Sequence, residues 1–311
     1  MWNDKPYYSL DYYLKEKYGE KIYKIALDGG MTCPNRDGSL GYGGCIFCSE
    51  RGSGDYASPR FISIHEQMEY GRTLFKGKNT GNKYIAYFQS FTNTYAPVSY
   101  LKDIFTEALT ESDVVGISIG TRPDCLGEEV IKLLVLLKNQ YPDKFIWVEL
   151  GLQTIHEKTT TFIRRGYPLS CYDDAVLRLK AHDIPVITHI ILGLPHENMT
   201  HYLETVRHLN KLGIFGIKLQ LLHVIKGTDL VSYYESNPDA FFLMDKEKYL
   251  KAVVSCLEIL NPDIIIHRVT GDGPRELTLA PLWSLNKRDV LNSLHKYMRT
   301  QHTYQGKYYY D

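Results

Sequence analysis

The sequence predicts an α/β fold, specifically a full or partial (β/α)6 TIM-like barrel with extensions at both ends. Short apolar runs alternate with longer helical patterns along the chain, which is typical of right-handed βαβ units and a parallel sheet. Polar segments follow these runs, where (β/α) folds place functional groups. We expect an N-terminal extension over residues 1–20, a barrel domain over 21–270 and a C-terminal extension over 271–311.

The apolar runs fix the expected order of strands and helices. Six strands are predicted over residues 21–27, 84–89, 114–119, 145–150, 186–192 and 217–222, with a short further strand over 264–267. Helices are predicted over residues 126–140, 155–165, 200–212 and 245–260. The third of these helices places Leu203, Val206 and Leu209 on one face, and Gly213 is expected to end it.

Three cysteines lie on a glycine-rich loop directly after the first predicted strand. Cys33, Cys45 and Cys48 follow the spacing C-x11-C-x2-C, and no fourth cysteine is close by in the sequence. Three thiolates can hold three corners of an iron–sulfur cube and leave the fourth iron open. By analogy with zinc, an open coordination position is typical of a catalytic site and a closed one of a structural site. The loop is therefore interpreted as part of a reaction centre.

The cysteines allow three other interpretations. A structural zinc site would use Cys45 and Cys48 with Cys33 and His65, although the gap to His65 is long for a zinc finger. A thioredoxin-type redox pair would leave Cys33 unexplained. A disulfide framework is disfavoured, because six cysteines in 311 residues and no secretory leader are typical of a reducing compartment.

Composition is that of an ordinary globular enzyme expected in the cytoplasm. Lys and Arg total 36, as do Asp and Glu, so the formal charge is zero and the whole chain is not a polycation. No apolar run approaches the ~20 residues that a membrane span needs, and we expect no membrane partner. Any nucleic-acid binding therefore requires a local basic patch.

Two basic clusters are candidates for such a patch. The first cluster comprises Arg72, Lys76, Lys78 and Lys83, near Phe75 and Tyr84. The second cluster comprises Lys287, Arg288, Lys296 and Arg299. Basic side chains interleaved with aromatic rings can contact phosphates and stack on unpaired bases. A solvated helix face is the alternative interpretation of each cluster.

Six stretches of the chain resemble the radical S-adenosylmethionine (radical SAM) enzymes. They are residues 32–38, 44–48, 91–95, 120–124, 149–154 and 267–272. From Tyr7 to about Trp283 the chain resembles the YhcC/YtqA-like branch, which is related to the radical SAM domain of the Elongator catalytic subunit. The commonest radical SAM loop is C-x3-C-x2-C, and the eight additional residues before Cys45 resemble the long spacer of Elongator-like branches. No counterpart of the Elongator acetyltransferase domain is found, so acetyl transfer is not expected.

The resemblance implies two cofactors and their chemistry. Cys33, Cys45 and Cys48 would bind a 4Fe–4S cluster, and SAM would bind the open iron. Reductive cleavage of SAM would produce a 5′-deoxyadenosyl radical that abstracts hydrogen from the substrate. The protein would supply placement and the exclusion of water. An electron donor such as flavodoxin or ferredoxin is expected as a partner.

The resemblance also implies roles for residues at the strand ends. Phe47 would lie near the adenine of SAM, with loop packing as its alternative role, and Gly193 would let the backbone approach the adenine. Most of the class binds the SAM amino group with Gly-Gly-Glu after the second strand. Here that place offers no carboxylate, and the candidates are Gln89, Ser90, Thr92 and Asn93.

The remaining candidates are polar or charged residues after later strands. Glu149 suits the ribose or amino end of SAM, and Gln153 suits ribose or substrate. Arg122 and Arg268 suit an anion, with ion pairs to Asp124 and Asp272 as the alternatives. Further candidates are the proton donors His196, His223 and His267 and the rim thiol of Cys125, which is more simply a spare cysteine.

The expected substrate is tRNA, because the Elongator-like relatives act on wobble uridine. The resemblance implies chemistry on the 5-substituent of that uridine, with trimming of carboxymethylaminomethyl-uridine to aminomethyl-uridine as one candidate reaction. A small-molecule or peptide substrate is the alternative within the class. A non-catalytic iron–sulfur or zinc RNA-binding module is the alternative outside it.

Overall fold

The structure is a computed structural model that describes residues 2, 5–52, 54, 57, 62–75, 81–271 and 273–310. Its strands are β1 (Tyr23–Leu27), β2 (Tyr84–Phe88), β3 (Val114–Thr121), β4 (Phe145–Gln153), β5 (Val186–Leu192), β6 (Gly216–Leu221), β7 (Val224–Ile225), β8 (Ile265–Arg268) and β9 (Thr278–Ala280). Its helices are α1 (Leu10–Tyr18), α2 (Ile64–Thr73), α3 (Val98–Thr110), α4 (Glu128–Gln140), α5 (Glu157–Phe162), α6 (Leu169–Ala181), α7 (Met199–Leu212), α8 (Leu230–Ser236), α9 (Lys246–Ile259) and α10 (Lys287–Thr300).

Seven strands form one parallel sheet in the order β1-β2-β3-β4-β5-β6-β8. Each neighbour in the sheet is also the next long strand along the chain, as right-handed βαβ units require. In the described residues β1 and β8 do not pair, so the sheet curls into a half-barrel instead of closing. The predicted α/β partial-barrel fold is confirmed. The separate strands β7 and β9 form a small antiparallel pair that the sequence interpretation did not include.

The predicted element bounds agree best where the apolar pattern is strongest. Strand β5 lies at the predicted residues, and α7 ends as expected, with Gly213 in the left-handed conformation at φ 60°. Strand β4 runs three residues further than predicted, with irregular pairing between Gly151 and Gln153. Helix α5 is shorter than predicted, because the chain turns at Arg164 and Gly166, which both have positive φ.

The main core lies between the outer face of the sheet and the helices. Buried side chains of this core include Phe105, Leu134, Val176, Val206 and Val253, one from each of five helices. This face of the parallel sheet is covered as a buried sheet must be. None of the helices in the described part is both long enough and apolar enough to cross a membrane.

The inner face of the half-barrel begins with an apolar layer at the amino ends of the strands. We define this apolar layer as Leu14, Ile85, Val115, Trp147 and Ile187. Leu14 belongs to α1, so the predicted N-terminal extension packs inside the barrel instead of standing apart. The backbone N–H of Ile266 donates to the carbonyl of Tyr8 over 2.7 Å, which fixes the segment before α1 along β8. The domain boundaries themselves stay predictions.

Candidate active site

A cavity of about 400 Å³ opens at the carboxyl ends of the strands. Eleven of the candidate residues from the sequence line it: Cys33, Cys45, Phe47, Cys48, Gln89, Thr92, Arg122, Glu149, Gln153, His223 and Arg268. Residues as far apart in the sequence as Cys33 and Arg268 thus reach one place, because parallel strands present their carboxyl ends at the same edge.

The long spacer between the first two cysteines is folded back on itself. The N–H of Gly44 donates to the carbonyl of Asn35 over 2.9 Å, so the residues between them form an excursion with adjacent ends. The Arg36 guanidinium donates to the carbonyls of Cys48 and Ser49 over 3.0 and 2.5 Å. Gly44 has φ +82°, and a Cβ there would lie 2.9 Å from Arg36 Nε. These contacts bring all three cysteines to the same cavity despite their spacing.

The environment of the three thiols fits the iron–sulfur interpretation. The Asn35 amide donates to Cys45 Sγ over 3.6 Å, as donors to cluster sulfurs do. Burial, with the neighbouring Cys48 and Cys33, raises the pKa of Cys45 to about 12. A thiol in this environment becomes a thiolate beside a strong positive charge, which the iron of a bound cluster would supply.

The zinc alternative finds no support in the described geometry. His65 lies on α2 and its Nδ1 is 2.6 Å from a Glu111 carboxylate oxygen, and it does not line the cavity. Within the described residues no three His, Cys, Asp or Glu side chains converge on one ion. In an iron–sulfur cube each thiolate binds a different iron, so convergence on one point is not required there.

Three predicted residues lie behind the cavity wall. The side chain of Asn93 is fully buried and donates to the carbonyl of Gly120 over 2.8 Å. Ser90 is buried as well, and its hydroxyl has no partner among the described residues. Gly193 has φ +91° and packs against Leu243 and Leu222. None of the three is among the described lining residues of the cavity, so their predicted contacts with SAM stay predictions.

Gln153 is held in an uncommon conformation at the end of β4. Its φ is +65°, which is strained for a residue with a side chain. Its Oε1 is buried and has no hydrogen-bond partner among the described residues, although the side chain lines the cavity. An unpaired buried carbonyl oxygen at a cavity wall is a good acceptor for a ligand hydroxyl or amine.

The Arg122 side chain already has several partners within the protein. Its guanidinium makes a bidentate pair with Asp124 at 2.9 and 2.7 Å, as the alternative interpretation expected. It also donates to the Arg165 carbonyl over 3.0 Å and lies over the Tyr167 ring at 4.8 Å. Its contact with a bound anion stays a prediction. Asp272, the suggested partner of Arg268, lies outside the described residues.

Above the apolar layer, each of the seven strands contributes one polar side chain to the barrel interior. We define this polar layer as Lys24, Tyr87, Ser118, Glu149, His189, Lys218 and Arg268. Lys24 and Lys218 each precede the end of their strand by three residues. At ~3.3 Å per residue, the layer lies about 10 Å below the rim from which the cysteine loop extends.

The Glu149 carboxylate is the centre of the polar layer. Its Oε1 accepts from Lys24 and Ser118, each at 2.6 Å. Its Oε2 accepts from Lys218, and His189 Nε2 lies 2.6 Å away. Burial raises the carboxyl pKa, but Lys218, Lys24 and His189 outweigh it and hold the pKa well below its usual range. The carboxylate already has four partners, so a SAM ribose or ammonium group would have to displace one of them.

The sequence interpretation missed Lys24, Tyr87, His189 and Lys218. A usable signal is present: Lys24, His189 and Lys218 are basic residues inside otherwise apolar strand sequences. Each stands three residues before the end of its strand, so the three lie at a similar depth. A buried cation in a strand requires an oppositely charged partner. Glu149 is the acidic residue inside the similarly apolar strand β4.

The three candidate proton donors have different surroundings. His223 lines the cavity and its Nε2 lies 3.0 Å from the Ser284 hydroxyl. His196 pairs with the Tyr233 hydroxyl at 2.7 Å and does not line the cavity. His267 is buried against Trp147, and neither ring nitrogen has a partner among the described residues. Of the three, His223 is the one placed to reach a ligand.

Comparison with known protein families identifies the family of the chain. The profile of the Radical SAM superfamily matches residues 33–209, and that of the Radical_SAM C-terminal domain matches residues 214–300. The first match begins at Cys33 and spans more than half of the chain. The chain belongs to the radical SAM superfamily.

Two relatives place this radical SAM enzyme in its branch. It is 45% identical to YtqA of Bacillus subtilis over 306 residues, covering 98% of this chain and 94% of the relative. It is 36% identical to YhcC of Escherichia coli over 293 residues, covering 94% and 92%. The expected membership of the YhcC/YtqA-like branch is confirmed.

More distant similarities connect this radical SAM chain to the Elongator proteins. A tRNA uridine(34) acetyltransferase of Methanocaldococcus jannaschii is 28% identical over 192 residues, covering 60% of this chain and 33% of the relative. The structure of Methanocaldococcus infernus Elp3 superposes with a TM-score of 0.67 at 16% identity, covering 91% of this chain and 64% of that chain. This chain therefore spans less than two thirds of either protein. The structural likeness shows a shared fold.

The first basic cluster of the radical SAM chain is largely neutralised. Arg72 forms ion pairs with Glu69, Glu111 and Asp113 at 2.6–2.7 Å, and Lys83 pairs with Glu20 at 3.2 Å. Lys76 and Lys78 lie outside the described residues. The described part of this cluster is thus not a free cationic patch, which corrects its sequence interpretation: Glu20, Glu111 and Asp113 lie far from it in the sequence, and Glu69 stands just before it.

The second basic cluster lies on α10. Lys287, Arg288, Lys296 and Arg299 are all exposed, whereas Val290, Leu294 and Met298 form the buried face of this helix. At 100° per residue, Arg288, Lys296 and Arg299 fall within one face of the helix. Within the described residues, this exposed face is the candidate surface for binding nucleic acid.

Proposed function

We propose that Cys33, Cys45 and Cys48 hold a 4Fe–4S cluster that binds SAM, and that the enzyme modifies the 5-substituent of wobble uridine in tRNA. The observation that carries the first half is the meeting of the three thiols at one cavity in a radical SAM fold. Three cysteine thiolates without a fourth protein ligand would leave one iron of the cluster open for a small molecule.

The chain's own residues place and shield the reaction. The cluster and SAM, when bound, supply abstraction of a hydrogen atom from the substrate. Asn35 and Arg36 fix the loop that carries the thiols. Gln153 offers its unpaired Oε1 to a ligand hydroxyl or amine, and Thr92 and Gln89 line the adjacent wall. The reducing electron would come from a partner protein such as flavodoxin or ferredoxin.

The tRNA substrate is supported by similarity and by charge. The relative that acts on uridine 34 of tRNA matches 60% of this chain. The charges of the cavity suit an acidic arm, since Glu149 is the only carboxylate among its described lining residues, whereas five of them are Lys or Arg. Trimming of carboxymethylaminomethyl-uridine to aminomethyl-uridine therefore fits this cavity, because the arm that is removed carries a carboxylate.

Nucleoside mass spectrometry of total tRNA from cells that lack this protein tests the proposal directly. We expect carboxymethylaminomethyl-uridine to accumulate, with restoration by the wild-type gene and by Cys171→Ala but not by Cys45→Ala. Cys171 lies on α6 outside the cavity and is the matched control. An unchanged nucleoside profile would contradict the tRNA substrate and favour a small-molecule or peptide substrate.

Binding of tRNA is expected to depend on α10. Replacement of Arg288, Lys296 and Arg299 by alanine should weaken tRNA binding and lower the slope of log affinity against log salt by about 2–3, since each phosphate contact contributes ~0.7–0.9. The control removes the same charge elsewhere, from the exposed residues Lys132, Lys158 and Lys211. Equal slopes for the two triple variants, measured by salt titration, would contradict a tRNA surface on α10.

A further inference from the structure

The polar layer holds more positive charge than its single carboxylate balances. Lys24 and Lys218 both contact Glu149, and Arg268 lies close enough to influence Lys218. Lys218 is only 4% exposed. A buried cation is strongly destabilising unless an opposite charge accompanies it. Within the described residues, one carboxylate beside the two ammonium groups of Lys24 and Lys218 leaves room for one further anion.

The geometry of Lys218 shows where that anion would lie. Its Nζ donates to Glu149 and, over 2.9 Å, to the Tyr87 hydroxyl. An ammonium has three N–H donors, so one remains beyond these two partners. Lys218 and Arg268 both line the cavity, whereas Lys24 lies behind them and is not among the lining residues. The two lining cations are therefore the ones that a ligand can reach.

The depth of the layer selects the kind of anion. The cysteine loop stands at the rim, and the polar layer lies about 10 Å below it. A phosphodiester is part of the polynucleotide backbone and stays at the surface when a base enters a cavity. A substituent that projects from the base reaches deeper. A carboxylate at the end of such an arm, or on a free small molecule, has the charge and the size for this position.

We propose that the polar layer is a receptor for a substrate carboxylate, bound by Lys218 and Arg268, and that Glu149 and Lys24 position Lys218. For a tRNA arm this inference rests on the proposed function. It assigns the deep end of the cavity to the substrate and the rim to the cysteine loop. Glu149 thereby acts as a positioning residue for a lysine, in place of its expected contact with SAM.

Equilibrium calorimetry on the anaerobically reconstituted enzyme tests the receptor. The probes are the nucleoside 5-carboxymethylaminomethyluridine, its methyl ester, which lacks the negative charge, and SAM. We expect Lys218→Met to weaken binding of the acid nucleoside at least ~10-fold, as loss of a charge-assisted hydrogen bond should. Binding of the ester and of SAM should be unchanged. The matched control is Lys132→Met, at an exposed lysine on α4 whose side chain is 61% exposed.

Two outcomes would overturn the receptor. One is equal binding of the acid nucleoside by the wild type and Lys218→Met. The other is an equal loss of SAM affinity in Lys218→Met, which would assign the layer to the carboxylate of SAM. If Lys218→Met does not fold, Arg268→Gln replaces it, because Arg268 is at the edge strand β8 and is only half-buried. The same loss for the acid nucleoside, with the ester unaffected, is expected there.

Glycine separates failure of the receptor from failure of the tRNA proposal. It carries the same carboxymethylamino group without uridine, and its binding is followed by NMR titration. Glycine binding that requires Lys218, together with no binding of either nucleoside, supports the receptor and contradicts the uridine substrate. Nucleoside binding that is independent of Lys218 has the opposite meaning: the uridine substrate stands and the receptor is overturned.

Discussion

The two layers inside the half-barrel are built from the same strands but have opposite character. Ile85 and Tyr87, Trp147 and Glu149, and Ile187 and His189 are pairs two residues apart on β2, β4 and β5. The first residue of each pair belongs to the apolar layer and the second to the polar layer. Because side chains alternate along a strand, both layers face inward. On each of these strands, the side chain that packs in the apolar layer and the side chain that belongs to the polar layer are therefore only two positions apart.

The apolar layer should carry stability and no ligand binding. Trp147 is fully buried and contacts Phe145, Tyr13 and Phe215. Replacement by alanine should lower the free energy of unfolding by about 3–5 kcal/mol, through lost burial and a residual cavity. Urea denaturation measures this change, and Leu136→Ala at an exposed position on α4 is the control. A loss below ~1 kcal/mol would contradict a stabilising role for the apolar layer.

The polar layer should instead give binding that depends on pH. Burial lowers the Lys218 pKa, Glu149 raises it, and Lys24 and Arg268 lower it again, so that it falls to about 7. Glu149, His189 and Tyr87 of the same layer have pKa values displaced away from neutral pH. Burial and Lys218 lower the His189 pKa to about 4, and burial raises the pKa of Tyr87 well above its usual value. Burial likewise holds the pKa of His267 well below its usual value.

The sign of the pH effect follows from the charge on Lys218. The ammonium is charged below pH 7 and neutral above it, so affinity for the acid nucleoside should fall as pH rises, by up to tenfold per unit. Calorimetry between pH 6 and 8.5 measures this slope, and Lys218→Met should abolish it. A slope that persists unchanged in the variant would assign the titration to another group.

The smallest expected effect concerns one donor to Glu149. Ser118→Ala removes the hydroxyl that donates to Oε1, while three basic partners remain, and should lower stability by about 1 kcal/mol. Thr106→Val is the control, since the Thr106 hydroxyl is buried without a described partner and its loss should be neutral or stabilising. If both substitutions have the same effect on thermal unfolding, the Ser118 hydrogen bond does not support the layer.

The strands and the cysteine loop could be predicted because their signals are local. An apolar run such as residues 186–192 predicts a strand without information from the rest of the chain. The spacing C-x11-C-x2-C is likewise contained within one loop. Most of the predicted site residues line the cavity, because they were chosen for their position at strand ends. The exceptions, Ser90, Asn93 and Gly193, are neighbours of lining segments whose side chains or backbone face the core.

The polar layer and the ion pairs of Arg72 could not be predicted in the same way. Glu149 was correctly placed at the cavity, but its partners Lys24 and Lys218 lie 125 and 69 residues away in sequence. Only the parallel register of the sheet shows that they share one level. Arg72 likewise meets Glu111 and Asp113 from 39 and 41 residues away. Local charge counts do not detect such compensation.

Helix α1 gives the chamber a closed base, because Leu14 and Tyr13 fill the space below Trp147. In the part of the chain that is described, the interior is therefore a dead end and not a tunnel. A substrate arm that enters and the product that leaves must use the same side of the barrel. Substrate and product therefore exclude each other, and departure of the product sets the earliest moment at which the next substrate molecule can enter.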